Sequence, residues 1–268
     1  MIFNVKEYWQ IAKNFWQLHL AYRGRIAVWV IVDLVSFIVF PFIWLAIFGD
    51  RQMIIGYTRA DIVTYYIIVA IISLVFSSHI YLIVNRDIVN GELNSILTRP
   101  INYLLYRFTH EWTYKSLELV FAVILFLAML VCAPQYLVVP KQFFTWVLFV
   151  LAGVLSLVMS FCIQMMVGLA SFWLGEVRSL LQLRLFIEKL FSGELAPLTF
   201  FPVAFQVLAT WLPFKYFVYF PAQIFLGKVG GWNLLYGFLY AVGWTVLLIG
   251  LTVVVWRRGL KQYDGSSI

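Results

Sequence analysis

The sequence predicts an all-α integral membrane protein. It reads as an N-terminal amphipathic interfacial helix, six transmembrane helices, and short re-entrant helices on the outer side between spans five and six. Three observations lead there. Of 268 residues, 63% are hydrophobic and only 12% charged, against roughly 25% charged in ordinary soluble domains, so the chain cannot cover a water-facing surface. Apolar runs of bilayer length, about 20 residues, recur along it. Its lysines and arginines flank those runs and do not gather on one face, so the net charge of +7 marks membrane edges and argues against nucleic acid as a partner.

Ahead of the first span, Val5, Tyr8, Trp9, Ala12, Phe15, Trp16 and Tyr22 fall near one helical face. Lys6, Gln10, Lys13, Asn14 and Gln17 occupy the other. Such a helix lies in the membrane interface with its cations towards lipid headgroups; a short soluble helix leading into the span is the alternative. Residues 1–25 are therefore read as a cytoplasmic interfacial segment. This stretch is polar and aromatic and lacks the short apolar core and small-residue cleavage site of a signal peptide.

Five apolar runs are long enough to cross without argument, at 26–48, 61–84, 117–139, 143–173 and 233–256. A sixth, at 180–200, is apolar but carries Arg184, Glu188, Lys189 and Glu194. Trp29, Trp44, Trp146, Trp173, Trp232 and Trp256 sit near run ends, as an interfacial aromatic belt requires. With six crossings, 13 of the 19 basic residues fall on one side and 5 on the other, with Lys189 inside a span. The positive-inside rule then places both termini in the cytoplasm. Cys132 and Cys162 lie within apolar runs and read as small buried hydrophobes, not as a disulfide or a metal pair.

Two segments depart from this pattern. The cytoplasmic stretch 85–115 begins NRDIVNGELNSILTRP, in which Leu93, Ile96 and Leu97 share a helical face. Pro100 disfavours helical geometry at Arg99, so a short helix should end in a bend there. Such a helix would present Arg86, Asp87, Glu92 and Asn94 to the cytosol or to a docked protein. A solvated loop whose charges only set topology fits the spacing equally well. The second segment, 192–228, is mostly apolar yet is interrupted by Gly193, Pro197, Pro202, Pro213 and Pro221. Irregular backbone cannot face lipid, because each unsatisfied peptide group costs several kcal/mol. This segment should therefore form short helices packed on protein at the outer face and dipping into the bilayer.

Asp33, Glu118, Arg184 and Glu188 are the intramembrane polar candidates. Asp33, Glu118 and Glu188 each face a cost of about 2.5–3.5 kcal/mol near mid-bilayer and need a partner, a proton or water. Arg184 stands four residues before Glu188 and can pair with it on one helix. Glu118 is a turn from Lys115 and close enough to the cytoplasmic end to snorkel. Asp33 has no local cation; a role in a polar pathway and a hydrogen bond to Ser36 or another span both remain open. Catalytic patterns are missing. Ala222 stands where a phosphate-cradling loop ending at Gly227–Lys228 needs glycine, and His19, His79 and His110 lack metal-ligand spacing. The chain itself is not expected to hydrolyse ATP or to hold a metal.

The Gly91-to-Pro100 pattern, the outer SGELAPLTFFP with LPFKYFVYFPAQIFLGK, and the tail WRRGLKQYDG together resemble permeases of type-2 ABC exporters. The likeness extends over nearly the whole chain as a single permease domain and is nearest the branch encoded as two neighbouring permeases with one ATPase. It implies a bacterial plasma-membrane protein that pairs with a second permease and with ABC ATPase subunits, which hold the ATP and Mg. In that family a short cytoplasmic helix seats in a groove of the ATPase. By resemblance Arg86, Asp87, Gly91, Glu92, Arg99 and Pro100 make that contact, and Ser192, Gly193, Glu194, Pro197, Pro202 and Pro213 belong to the outer re-entrant gate. A non-transporting membrane scaffold is the alternative, and a lipid-modifying enzyme is disfavoured for want of a convergent acidic or histidine site.

The topology carries a test. Reporters fused after Ile268 and at Gln142 should read cytoplasmic and external respectively; a cytoplasmic signal at Gln142 overturns the six-span arrangement.

Overall fold

Helices dominate because they satisfy their own backbone inside a nonpolar medium. The computed structural model describes residues 5–22, 24, 28, 39–76, 79–132, 134–175 and 178–263. In chain order it has α1 (Val5–Ala21), α2 (Val39–Phe48), α3 (Arg59–Phe76), α4 (Ile80–Val89), α5 (Leu93–Leu97) and α6 (Tyr103–Cys132). There follow α7 (Phe143–Leu169), α8 (Ser171–Leu174), α9 (Arg178–Phe191), α10 (Val203–Thr210), α11 (Tyr219–Phe225) and α12 (Gly231–Gln262). A two-stranded antiparallel hairpin, β1 (Met53–Ile54) and β2 (Tyr57–Thr58), precedes α3, with Met53 paired to Thr58.

Three described helical stretches are long and apolar enough to cross a membrane: Tyr103–Val131, Phe143–Leu174 and Gly231–Gln262. The remaining expected spans need qualification. Most of 26–48 lies outside the described residues, Asp33 among them, and only Val28 and α2 represent it. The run at 61–84 is carried by α3 and α4, with residues 77–78 outside the description. The run at 117–139 is displaced: α6 starts at Tyr103 and ends at Cys132, and the Pro134–Tyr136 turn follows. Polar residues between 103 and 116 do not interrupt that helix, because Arg107 and Lys115 are buried in ion pairs.

The run at 180–200 departs most. α9 has 14 residues, about 21 Å at 1.5 Å per residue, against a hydrocarbon core of about 30 Å. It stops at Phe191 because Gly193 takes φ +85°, a left-handed conformation outside any helix. The irregular stretch that follows is capped by α3. Tyr65 donates its hydroxyl to the Gly193 carbonyl at 2.6 Å, and Tyr66 donates to that of Leu195 at 2.7 Å. Ser192 accepts the Tyr219 amide at 2.9 Å.

The stretch 200–228 leaves and returns at one end of the bundle. Phe200 meets Tyr57 edge-on at 5.4 Å, and Lys228 lies 4.6 Å from the centre of the same ring. Between these ends α10 and the Pro213–Phe225 stretch are bent by 82°. At the bend, the Phe217 carbonyl accepts the hydroxyl of Ser156 at 2.8 Å, and Ser156 is the middle residue of α7. The helix pair therefore dips halfway down α7 and comes back. The core runs along this axis: α7 packs on α4, α11 and α12, with Tyr216, Phe217, Phe220 and Phe225 buried among them.

α1 packs on α6. The Trp16 indole donates to Ser116 on α6 at 2.8 Å, Tyr8 accepts the Asn102 amide at 2.9 Å, and Phe15 meets Tyr106 at a tilt and His110 edge-on. Ala12 and His19 are buried in that contact, while Val5 and Trp9 stay exposed.

The in-and-out path predicts labelling behaviour. Single cysteines at Thr199 and Val229 should both react with an impermeant thiol reagent applied from the outer side. Reaction of one from each side would mean that 200–228 crosses and does not return.

Candidate functional site

The 85–100 loop is assembled from residues of opposite character. α4 ends at Val89, and Gly91 at φ +73° reverses the chain, a conformation that side-chain-bearing residues rarely adopt. α5 follows with Leu93 and Ile96 buried in the main core. Those two anchors turn the rest of the loop outward: Glu92, Asn94, Ser95, Leu97, Thr98, Arg99 and Pro100 are exposed. Ser95 donates to the Glu92 carbonyl at 2.8 Å, and Thr98 to that of Ser95 at 3.0 Å, so the loop is ordered by its own side chains. Arg86 faces Glu92 at 3.8 Å, both more than half exposed.

Asp87 belongs elsewhere. The sequence placed it on the docking face beside Arg86, but the structure buries it completely. It pairs with Arg107 and accepts the Tyr103 hydroxyl at 2.5 Å. The reason is helical phase: on α4, Asp87 and Ile88 share the buried side with Val84, whereas Arg86 points away. Burial pushes the Asp87 carboxyl above its ordinary range, and Arg107 and Tyr103 pull it back. The Tyr103 ring stacks on Trp256 of α12 at 4.6 Å, with the planes 11° apart, and Phe172 touches both Trp256 and Tyr263. Asp87 thus fastens α4 to the starts of α6 and the end of α12. Sequence reasoning missed this because Asp87, Tyr103 and Arg107 carry no common motif; only the fold joins them.

Two further buried ion pairs lie within single helices. Glu118 is held by Lys115, whose ammonium also donates to the Leu74 carbonyl at 2.9 Å; it is buried between helices and does not reach out to the interface. Arg184 reaches Glu188 through Nε at 2.8 Å, both on the buried side of α9. The three histidines, distant in sequence, all line one cavity of about 530 Å3 between α1, α4 and α6, together with Arg86, Glu111 and Tyr114. Among the described residues no cluster could hold a metal ion.

In the broken stretch, Ser192 and Gly193 are buried where Tyr65 and Tyr219 meet the irregular backbone. A Cβ at 193 would come 2.7 Å from the Tyr65 hydroxyl, so the position has neither the space nor the dihedral for a larger residue. The Glu194 amide donates to the Ser192 hydroxyl at 3.2 Å. Pro197, Pro202 and Pro213 open the turn Leu198–Phe200, α10 and the turn Pro213–Tyr216 respectively. Each sits where an amide would have no helical partner.

A family model described as ABC-2 family transporter protein matches residues 32–267. No curated protein matches the chain.

Asp87 and Arg86, neighbours in sequence, should respond differently to substitution. Asp87→Ala leaves Arg107 buried without its counter-ion, a loss of about 3–5 kcal/mol. It should sharply lower the melting temperature of the detergent-purified protein. Arg86→Glu, at an exposed pair worth under about 1 kcal/mol, should leave that temperature nearly unchanged. Equal melting of both variants and the parent would remove Asp87 from the internal lock.

Proposed function

The chain belongs to the ABC-2 family of transporter membrane proteins, and we propose that it is one permease of an ATP-driven exporter. Its family makes it a multi-pass membrane protein and a permease that is not itself catalytic and works with ABC ATPases. In the finer reading, six crossings place both termini in the cytoplasm of a bacterial plasma membrane. Two permeases, identical or not, enclose the pathway, and two ATPase subunits holding ATP and Mg drive it outward.

The observation that carries the coupling part of this reading is the rigid presentation of the 86–100 loop. Leu93 and Ile96 anchor it from within, the Asp87–Arg107–Tyr103 set fastens its base, and a polar face stays open to solvent. A loop that only set topology needs none of those anchors. The docking face is then Arg86, Gly91, Glu92, Arg99 and Pro100, with exposed Leu97 as its apolar contact; Asp87 serves by holding the base. Charges on such a face govern register and partner choice more than affinity.

Glu92→Lys tests it. The variant should reach the membrane at the parental level, because residue 92 is exposed, and should lose its ATPase on co-purification or lose stimulated hydrolysis. If Glu92→Lys and Arg86→Glu both keep the ATPase and its activity, the loop is not the coupling element and the scaffold alternative gains.

A further inference from the structure

Among the described residues, a half-buried cation at the bend of the helix pair has no anionic partner. Lys215 sits in the turn Pro213–Tyr216 at the deepest point of the helix pair that enters and leaves from the outer end. Its depth follows from its neighbours. Phe217, two residues on, is bonded to the middle of α7, and Tyr216 stacks on Tyr240 of α12. Tyr240 lies nine residues below Gly231, the first residue of that helix, or about 14 Å along the axis. The Lys215 ammonium donates to the Thr210 hydroxyl at 2.8 Å. No carboxylate lies within 4 Å of it among the described residues. The fully buried cations among the described residues are all matched: Arg107 with Asp87, Lys115 with Glu118, Arg184 with Glu188.

Lys215 lines a cleft of about 260 Å3 between the helix pair and α12. The cleft runs from Thr210 and Lys215 at the bottom to Lys228, Val229 and Asn233 at the outer rim. Asn233 and the hydroxyls of Tyr236 and Tyr240 line it and make no hydrogen bond to another described residue. Lys228 at the rim is already satisfied by Asp61 at 3.0 Å. Inside a bilayer an uncompensated ammonium is retained only where something else supplies the charge. The donors left over, two N–H of Lys215 with phenol and amide groups around them, are what an anionic oxygen cluster accepts from. The volume falls just under the usual range for a drug-sized ligand, 300–1,000 Å3, and suits a headgroup without its chains.

We propose that this cleft binds the anionic, phosphate-bearing headgroup of an amphiphile, with Lys215 as its counter-ion at mid-membrane depth and Tyr236, Tyr240 and Asn233 as neutral donors. The inference rests on the permease reading only for the membrane setting of the chain. It does not require the coupling loop, and binding can be measured without any ATPase, so the failure of either leaves the other standing.

The experiment uses the full chain in nanodiscs of phosphatidylcholine doped with phosphatidylglycerol, with retained lipid counted by native mass spectrometry. The parent should keep phosphatidylglycerol over phosphatidylcholine. Lys215→Met should reduce that preference about tenfold, Lys215→Arg should keep it, and Lys215→Met should melt no lower than the parent. Inorganic phosphate added as competitor separates the sources. Displacement of the lipid means that the anion alone is read, and persistence means that its chains contribute; both outcomes support the site. Equal retention of the two lipids by the parent overturns it. So does parental retention by Lys215→Met, or a lowered melting temperature in that variant, which would make the lysine structural.

Discussion

Two neighbouring hydroxyls on α3 make the broken stretch at 192–228 possible. Between Phe191 and Val203 the chain abandons regular helix within an apolar surround, where a bare carbonyl costs several kcal/mol. Tyr65 and Tyr66 reach across from α3 and donate to the carbonyls of Gly193 and Leu195. The Tyr219 amide closes on Ser192, and the Gln206 side chain donates to the Phe201 carbonyl at 2.8 Å. With those groups satisfied, α9 can stop short and α10 and α11 can turn back at the level of Ser156. Tyr66 is itself held: the Trp44 indole donates to its hydroxyl at 2.5 Å, and Phe40 stacks on its ring. Removing the pair of tyrosines would expose at least two buried carbonyls together, so the outer break and the packing of α2 on α3 are one feature.

The same scarcity of water governs the charges. Arg107, Lys115 and Arg184 each meet a carboxylate within a few residues or across a helix pair, and Lys115 adds a backbone carbonyl from α3. Buried pairs of this kind add little net stability compared with apolar residues of the same shape, but breaking one is costly. Their effect is to fix relative positions. Asp87 holds α4 to α6, and Lys115 holds α6 to the end of α3. Lys215 is set apart because it fixes nothing of that sort.

Much of this was legible in the sequence, and the boundary between what was and what was not is physical. Apolar length and flanking charge gave α6, α7 and α12, since a crossing helix is a local property of about 20 residues. Proline spacing gave the broken character of 192–228 for the same local reason. The i, i+4 spacing of Arg184 and Glu188 was readable because both lie on one helix. Asp87 was misplaced because its partners are 16 and 20 residues away and only tertiary packing brings them near. The convergence of His19, His79 and His110 on one cavity escaped notice on the same ground. The extension of α6 back to Tyr103 was missed because its polar residues read as loop when their buried partners are unseen. Lys215 was counted only as a topology-setting charge, a reading that says nothing about its depth.

The two ends of the molecule share one wall. α7 carries Gly168 near its C-terminal end, where Val84 of α4 packs so close that a Cβ would fall 2.7 Å from the valine's own. Midway along, its Ser156 holds the bend of the helix pair through the Phe217 carbonyl. Along its length it packs on α12, whose end meets Tyr103 through Trp256. α4 cannot shift against α7 without opening the Val84–Gly168 contact, because close-packed interiors have no slack to absorb the displacement. α4 is thus close-packed on α7 at Gly168, and α7 meets the bend of the helix pair at Ser156, so packing is continuous from the 86–100 loop to Phe217.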